Sequence, residues 1–133
     1  MGIIKPESKD IFRVNSEDLK YLYQLRVGLS ALRAHKFKHN FKDTPNDKCS
    51  CSTGPENTLH FLLSCPFFTS QRAKLLETVN PLLCSKNLEL DSSALSKALL
   101  YGNNNLNPLQ NKTILEATLE FIRNSGRFDR EKL

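Results

Sequence analysis

Three cysteines and one histidine fall within seventeen residues: Cys49 and Cys51 with one residue between them, His60 after eight more, and Cys65 after a further four. Thiolate and imidazole are soft donors, and three of the first with one of the second make the closed, four-coordinate set of a structural zinc site. In an extended segment residues i and i+2 face the same way, so the sulfurs of Cys49 and Cys51 can converge on one ion. His60 is expected on a short helix, where a residue five positions on is turned off its face. Pro66 disfavours the helical conformation at Cys65 and brings the chain out of the helix, where the thiolate can swing back. The plainer alternative is a set of reduced thiols beside an incidental histidine. Cys84 lies outside the pattern and is expected to be idle, and His35 and His39 are surplus to a set already complete.

A structural zinc ion here, one per chain, would supply much of the folding free energy. Three thiolates against one dication leave a single net negative charge, so any positive field must come from elsewhere. The formal charge of the 133-residue chain is +5, and residues 1–48 hold ten Lys and Arg against six Asp and Glu. Within them Leu32 to Lys42 (LRAHKFKHNFK) carries four cations, two histidines and two phenylalanines with no acid. Phosphate is the natural complement. The candidate nucleic-acid contacts are therefore Arg26, Arg33, Lys36, Lys38 and Lys42 on phosphates, with Phe37 or Phe41 stacking on an unpaired base.

The elements that must position these residues read as all-α: a small domain of about five helices with a Cys3His zinc knuckle between the first and second. Ser16 with Glu17 and Asp18 starts a helix over 17–36 along Leu22, Leu25, Leu29 and Leu32, with Gly28 inside it. Thr53-Gly54-Pro55-Glu56 fits a capping box opening the short helix through Leu59, Phe61, Leu62 and Leu63, which Pro66 ends. A third helix spans about Phe68 to Val79 and stops near Pro81. A fourth runs from Asp91 as N-cap through Leu95, Leu99 and Leu100 to Gly102. Asn107 and Pro108 open a last one, with Ile114, Leu115, Thr118, Leu119 and Ile122 on one face and Gly126 closing it. Residues 1–15 are expected to be a tail or junction, 16–126 the domain, and 127–133 a C-terminal tail. The chain holds no run of eighteen apolar residues, and its first residues lack a secretory signal. An intracellular setting, nuclear or cytoplasmic and within a ribonucleoprotein, is expected, with no membrane and no small-molecule substrate as partner.

The run Tyr23-Gln24-Leu25-Arg26-Val27-Gly28 with Leu32 and His35, then Cys49-x-Cys51, then Thr58-Leu59-His60-Phe61-Leu62-Leu63-x-Cys65-Pro66 and Arg72, resembles a known family. It is similar to the zinc-binding region C-terminal to the reverse transcriptase and ribonuclease H domains of non-LTR retrotransposon proteins. The resemblance is close over about residues 20–76. It implies that Cys49, Cys51, His60 and Cys65 bind zinc and that the module helps a retroelement protein hold RNA or DNA, beside a polymerase domain of its parent protein. It also implies no enzyme here, because the polymerase's paired aspartates are absent. A competing reading is a zinc-stabilised helical interaction or scaffold domain that binds no nucleic acid, which the nearly neutral, leucine-rich residues 67–126 favour.

Overall fold

The computed structural model describes residues 16–129; the tail expected over 1–15 and residues 130–133 lie outside it. Five α-helices are present: α1 Ser16–Val27, α2 Arg33–Lys38, α3 Thr69–Ser85, α4 Ser92–Tyr101 and α5 Pro108–Ser125. A π-helical turn, His60–Ser64, and a 3-10 turn, Pro66–Phe68, precede α3. No strand occurs among the described residues, which hold one isolated antiparallel bridge, Lys48 to Pro55. The cysteine-rich knuckle therefore lies between α2 and the π turn, because the first expected helix is two.

That helix ends at Gly28, which adopts φ +74° while the Leu29 amide donates to Gln24 O at 2.9 Å. This six-to-one bond is a Schellman cap, and it satisfies a carbonyl the helix end leaves orphaned. The leucine period had suggested continuity, yet of its leucines Leu19, Leu22 and Leu25 are buried on α1 while Leu29 is turned to solvent. Close backbone packing does not explain Gly28, since a Cβ there would meet nothing within 4 Å. Its requirement is the left-handed backbone alone. Gly28→Ala is expected to cost about 1 kcal/mol, roughly 3–5 °C in Tm, and Gly28→Asn less than half of that, because Asn tolerates this conformation. Thermal melts of the two variants that fell together would contradict this account.

The core lies where α5 packs on α3, α1 and α4. Ile114, Leu119, Phe121 and Ile122 meet Leu75, Val79 and Leu83 of α3 and Leu99 of α4 in one buried cluster. At the centre of α5, Thr118 Oγ1 lies 2.9 Å from both Leu99 O and Ile114 O, so a fully buried hydroxyl ties α5 to α4. Three expected caps hold, at Asp91, which accepts from Ala94 N, at Asn107, where Gln110 completes a capping box not foreseen, and at Gly126, which closes α5 with φ +65°. Pro81 does not stop α3, which continues to Ser85. An interior proline costs about 3 kcal/mol, but the extra turn buries Leu83, and a buried leucine returns about 1.5–3 kcal/mol. Of the tail expected over 127–133, the described residues 127–129 fold back on the domain. Phe128 is buried, stacked on Tyr21 at 4.9 Å and edge-on to Phe61 at 5.5 Å. Phe61 also meets Phe68 and Phe121 at 5.3 and 5.2 Å, so the residue after His60 anchors that turn in the aromatic core.

Candidate metal centre

The bridge between Lys48 and Pro55 folds the first two cysteines into a tight loop, with Cys49 N donating to Gly54 O at 2.8 Å and Glu56 N to Asp47 O at 2.7 Å. Inside it the chain is not extended as the i, i+2 argument assumed. Ser52 N donates to Cys49 O at 3.0 Å, closing a β-turn, and Ser52 itself has φ 67°. The turn curls residues 49–52 so that backbone amides point at sulfur. The N–H of Cys51 reaches the Cys49 sulfur and that of Thr53 reaches Cys51; in the second half of the site, Phe67 N–H reaches Cys65. Each sulfur thus receives the amide two residues on, an arrangement that favours thiolate over thiol.

Thr53 does not cap the short helix as expected. Asn57 does so, its Oδ1 accepting from His60 N at 2.8 Å, while Thr53 Oγ1 lies 3.0 Å from Cys51 Sγ. The turn that follows is π-helical: Cys65 N donates to His60 O, five residues back, at 2.8 Å. In an α-helix five residues overshoot a full turn by about 140°, which would carry Cys65 away from His60. The wider π turn absorbs one extra residue per circuit and largely removes that overshoot. Cys65 then takes an extended ψ of 124° ahead of Pro66, as the proline required. Arg72 secures the turn from α3: its Nε donates to Leu62 O at 2.8 Å and its Nη2 to Phe61 O at 3.1 Å. Burial lowers the pKa of this guanidinium, and the nearby Cys65 thiolate pulls it back up.

One ligand atom from each of Cys49, Cys51, His60 and Cys65 lies within 4.8 Å of all the others. Cys49 Sγ and Cys65 Sγ are 3.8 Å apart, and Cys51 Sγ is 3.2 Å from His60 Nε2. Four ligands at metal–sulfur distances of about 2.3 Å span tetrahedral edges of about 3.8 Å, so a cluster with separations up to 4.8 Å could hold one metal ion after small side-chain shifts. Burial pushes the Cys49 thiol up to about 12 and also raises Cys65. At Cys51 burial acts in the same sense but is outweighed by Thr53, Cys49 and His60, and its thiol falls to about 6. Cys51 is thus ready as a thiolate, and an incoming cation must displace the protons of the other two. Cys84 lies exposed at the end of α3, apart from the cluster.

Compared with protein-family models, curated proteins and solved structures, the chain has no match.

The basic residues divide into two groups. Lys38 and Lys42 are exposed, as are Phe37 and Phe41, and Lys48 of the knuckle joins them. Lys36 is engaged by Asp43 at 2.9 Å and lies over the Phe41 ring. Arg33 is half-buried. Arg26 turns away from the others toward α4, its Nε donating to Leu100 O at 2.6 Å. His35 is a brace rather than a ligand. Ser30 N donates to its Nδ1 at 3.2 Å, which fixes the proton on Nε2, and that atom faces Thr58 Oγ1 at 3.2 Å. Burial, then the charges of His39 and Lys38, hold its pKa below the ordinary value of 6.5 against an opposing pull from Glu56. A histidine lowered on folding stabilises fully above about pH 6.5 and loses that contribution as pH falls below it. The melting temperature is expected to drop more steeply between about pH 6.5 and 5 in the native chain than in His35→Gln; parallel slopes would remove the brace from the account.

The residue that sequence reasoning misplaced is Glu56. Its carboxylate is buried and receives Arg127 twice, Nε to Oε2 at 2.6 Å and Nη2 to Oε1 at 2.7 Å. It also caps α2, with Arg33 N on Oε1 at 2.9 Å and Ala34 N on its carbonyl at 3.0 Å. Partners 71 residues apart leave no local pattern, and only the charge of Glu56 beside an apolar run was there to be noticed.

Proposed function

We propose that this chain is a non-catalytic zinc module that holds RNA or DNA by its phosphates, of the kind found in retroelement reverse transcriptase proteins. The observation that carries the reading is the Cys3His cluster: three sulfurs and one imidazole nitrogen within 4.8 Å, each sulfur met by a backbone amide. Such a set fits zinc better than a hard cation and leaves no position for water or substrate, which makes the metal architectural. The likeness to the retroelement region rests on the sequence motifs, and Arg72 adds to it, because that residue of the pattern closes the carbonyls of the turn carrying two ligands. A polymerase domain of the same parent protein is the proposed neighbour.

Nucleic-acid contact is assigned to the lobe made by α2 and the knuckle. Lys38, Lys42 and Lys48 are exposed there without an acidic partner among the described residues, while Asp43 is taken by Lys36. If all three touch phosphates, reversing them to Glu should flatten the log–log salt dependence of single-strand binding by about 2 and weaken binding at low salt. Anisotropy titrations of a labelled 20-nucleotide RNA and its DNA equivalent, each from 50 to 300 mM salt, measure this. No binding at the lowest salt, or binding indifferent to the reversals, overturns the reading and leaves the interaction domain in its place.

A further inference from the structure

Beyond that lobe, we infer that the groove between the end of α1 and α4 takes one nucleotide of a single strand, its base on Tyr101 and its phosphate on Arg26 and Lys97. The inference deepens the reading above and rests on it for the kind of ligand, but not for the place.

Arg26 is built as a hook. Its Nε is spent on Leu100 O, and its guanidinium carbon lies 5.2 Å from the Tyr23 ring centre and 5.1 Å from that of Tyr101. Tyr101 is held in turn, its hydroxyl donating to Arg26 O at 2.9 Å. A guanidinium fixed in this way keeps its two terminal nitrogens, which have no partner among the described residues, and has already lost the side-chain entropy that binding would otherwise cost. The groove it lines encloses about 500 Å³, the scale of a small-ligand site, and its walls include Lys97, His35, Ser93 and Thr58 but no Asp or Glu. Lys97 is exposed and has no ion-pair partner among the described residues. Asp91, the acid nearest to Ser93 in the chain, is occupied in capping Ala94 N.

The rings give the second half of the argument. Tyr101 is 59% exposed and Tyr23 47%, with Val27 beside them at 66%. Two exposed rings, each with the fixed guanidinium over one face, have the make-up of a single-strand platform, in which bases stack on rings and the backbone follows the charge. An apolar peptide would cover the rings but leave Arg26 and Lys97 desolvated without counter-charge. That is the costly arrangement, and it favours the nucleotide.

The test uses the zinc-loaded full chain and labelled dT10 and rU10 at 50 mM salt. Tyr101→Ser and Lys97→Glu should each weaken binding about five- to 100-fold, the range of one lost stacked base, while Tyr101→Phe, which keeps the ring, should stay within about twofold. Photo-crosslinking of 4-thio-uridine in the rU strand should map to the Tyr23 and Tyr101 peptides. Variants that retain the native melting temperature and affinity, with crosslinks elsewhere, overturn the groove while leaving the lobe reading intact. Loss with Lys97→Glu but none with the triple reversal at Lys38, Lys42 and Lys48 keeps the groove and overturns the lobe. Inorganic phosphate that shifts the Arg26 and Lys97 resonances and saturates as tightly as the oligonucleotide reduces the site to an anion site. A concentration-dependent dimer lost in Tyr101→Ser assigns the groove to a second copy. Either of these last outcomes overturns the proposal.

Discussion

With zinc held by Cys49, Cys51, His60 and Cys65 as proposed, Cys65→Ser or a chelator is expected to unfold the half of the chain around that cluster. Structural zinc contributes about 10–16 kcal/mol in finger peptides at neutral pH, against a whole-domain stability of about 5–15 kcal/mol, so little fold should survive around the site. The region at risk follows from the contacts. The knuckle has one bridge of backbone pairing, α2 has six residues and buries none of them, and the π turn reaches the core through Phe61 and Leu62. Residues 31–68 should therefore lose amide dispersion and exchange protection. The α3–α5 pair, packed through Val79, Leu83, Ile114 and Ile122, should keep much of its helicity. Cys84→Ser supplies the contrast, because that exposed thiol touches none of the ligands and its removal should leave zinc content and Tm unchanged. Elemental analysis with thermal melts before and after chelation decides the matter. A purified chain with well under one zinc, or a Cys65→Ser protein that melts with the native one, would remove the metal from the fold.

Why some of this could be read from the chain and some could not follows from the range of the interactions. Ligand types and spacing are local, and Cys49, Cys51, His60 and Cys65 do converge. Caps are local too, and Asp91, Asn107 with Gln110, and Gly126 stand where their chemistry put them. The failures occur where a distant partner decides between two acceptable local answers. Gly28 satisfied both a tolerated helix interior and a C-cap, and the cap won once Leu25 and Leu32 had separate places in the core. Thr53 was the expected cap, yet it went to the Cys51 sulfur and Asn57 caps the turn in its place. Pro81 is a helix breaker by its own chemistry, overridden by α5 beneath Leu83. Arg26 and Lys36 read as basic residues no different from Lys38, and only the fold shows that the first bonds Leu100 O through Nε and the second pairs with Asp43. The π turn had the weakest signal of all, since its only trace was a five-residue interval that an α-helix could not use.

The pair formed by Glu56 and Arg127 should prove the strongest interaction outside the metal site. Two short charge-assisted bonds join them, Arg127 Nη2 also donates to Ala31 O at 3.1 Å, and the Glu56 carboxylate sits at the N-terminus of α2, where its charge is favoured. The contact pins the segment after α5 over the α1–α2 connection and behind the knuckle. Removing Arg127 leaves the Glu56 carboxylate buried without its mate, for which about 3–5 kcal/mol is expected, so Arg127→Met should lower Tm by about 10 °C or more, and Glu56→Gln by less because the Arg127 side chain is 24% exposed. The double variant should recover part of the loss, because no lone charge remains, and a cycle that instead adds to within about 0.5 kcal/mol would show the two residues to be independent. Acid provides a second measure. Burial would raise the Glu56 carboxyl, but the bonds from Arg127 and the Arg33 amide outweigh it and hold the pKa below the usual value. A carboxylate lowered on folding contributes fully above the unfolded pKa of about 4.3 and loses that contribution as pH falls through the folded value. The stability gap between the native chain and Glu56→Gln should therefore be flat from neutral pH down to about 5 and close below it. Acid acts alike in both proteins on any ion held by the cysteine cluster, so the difference isolates the carboxylate, and a gap that stayed open at pH 3 would place its origin in packing instead of charge.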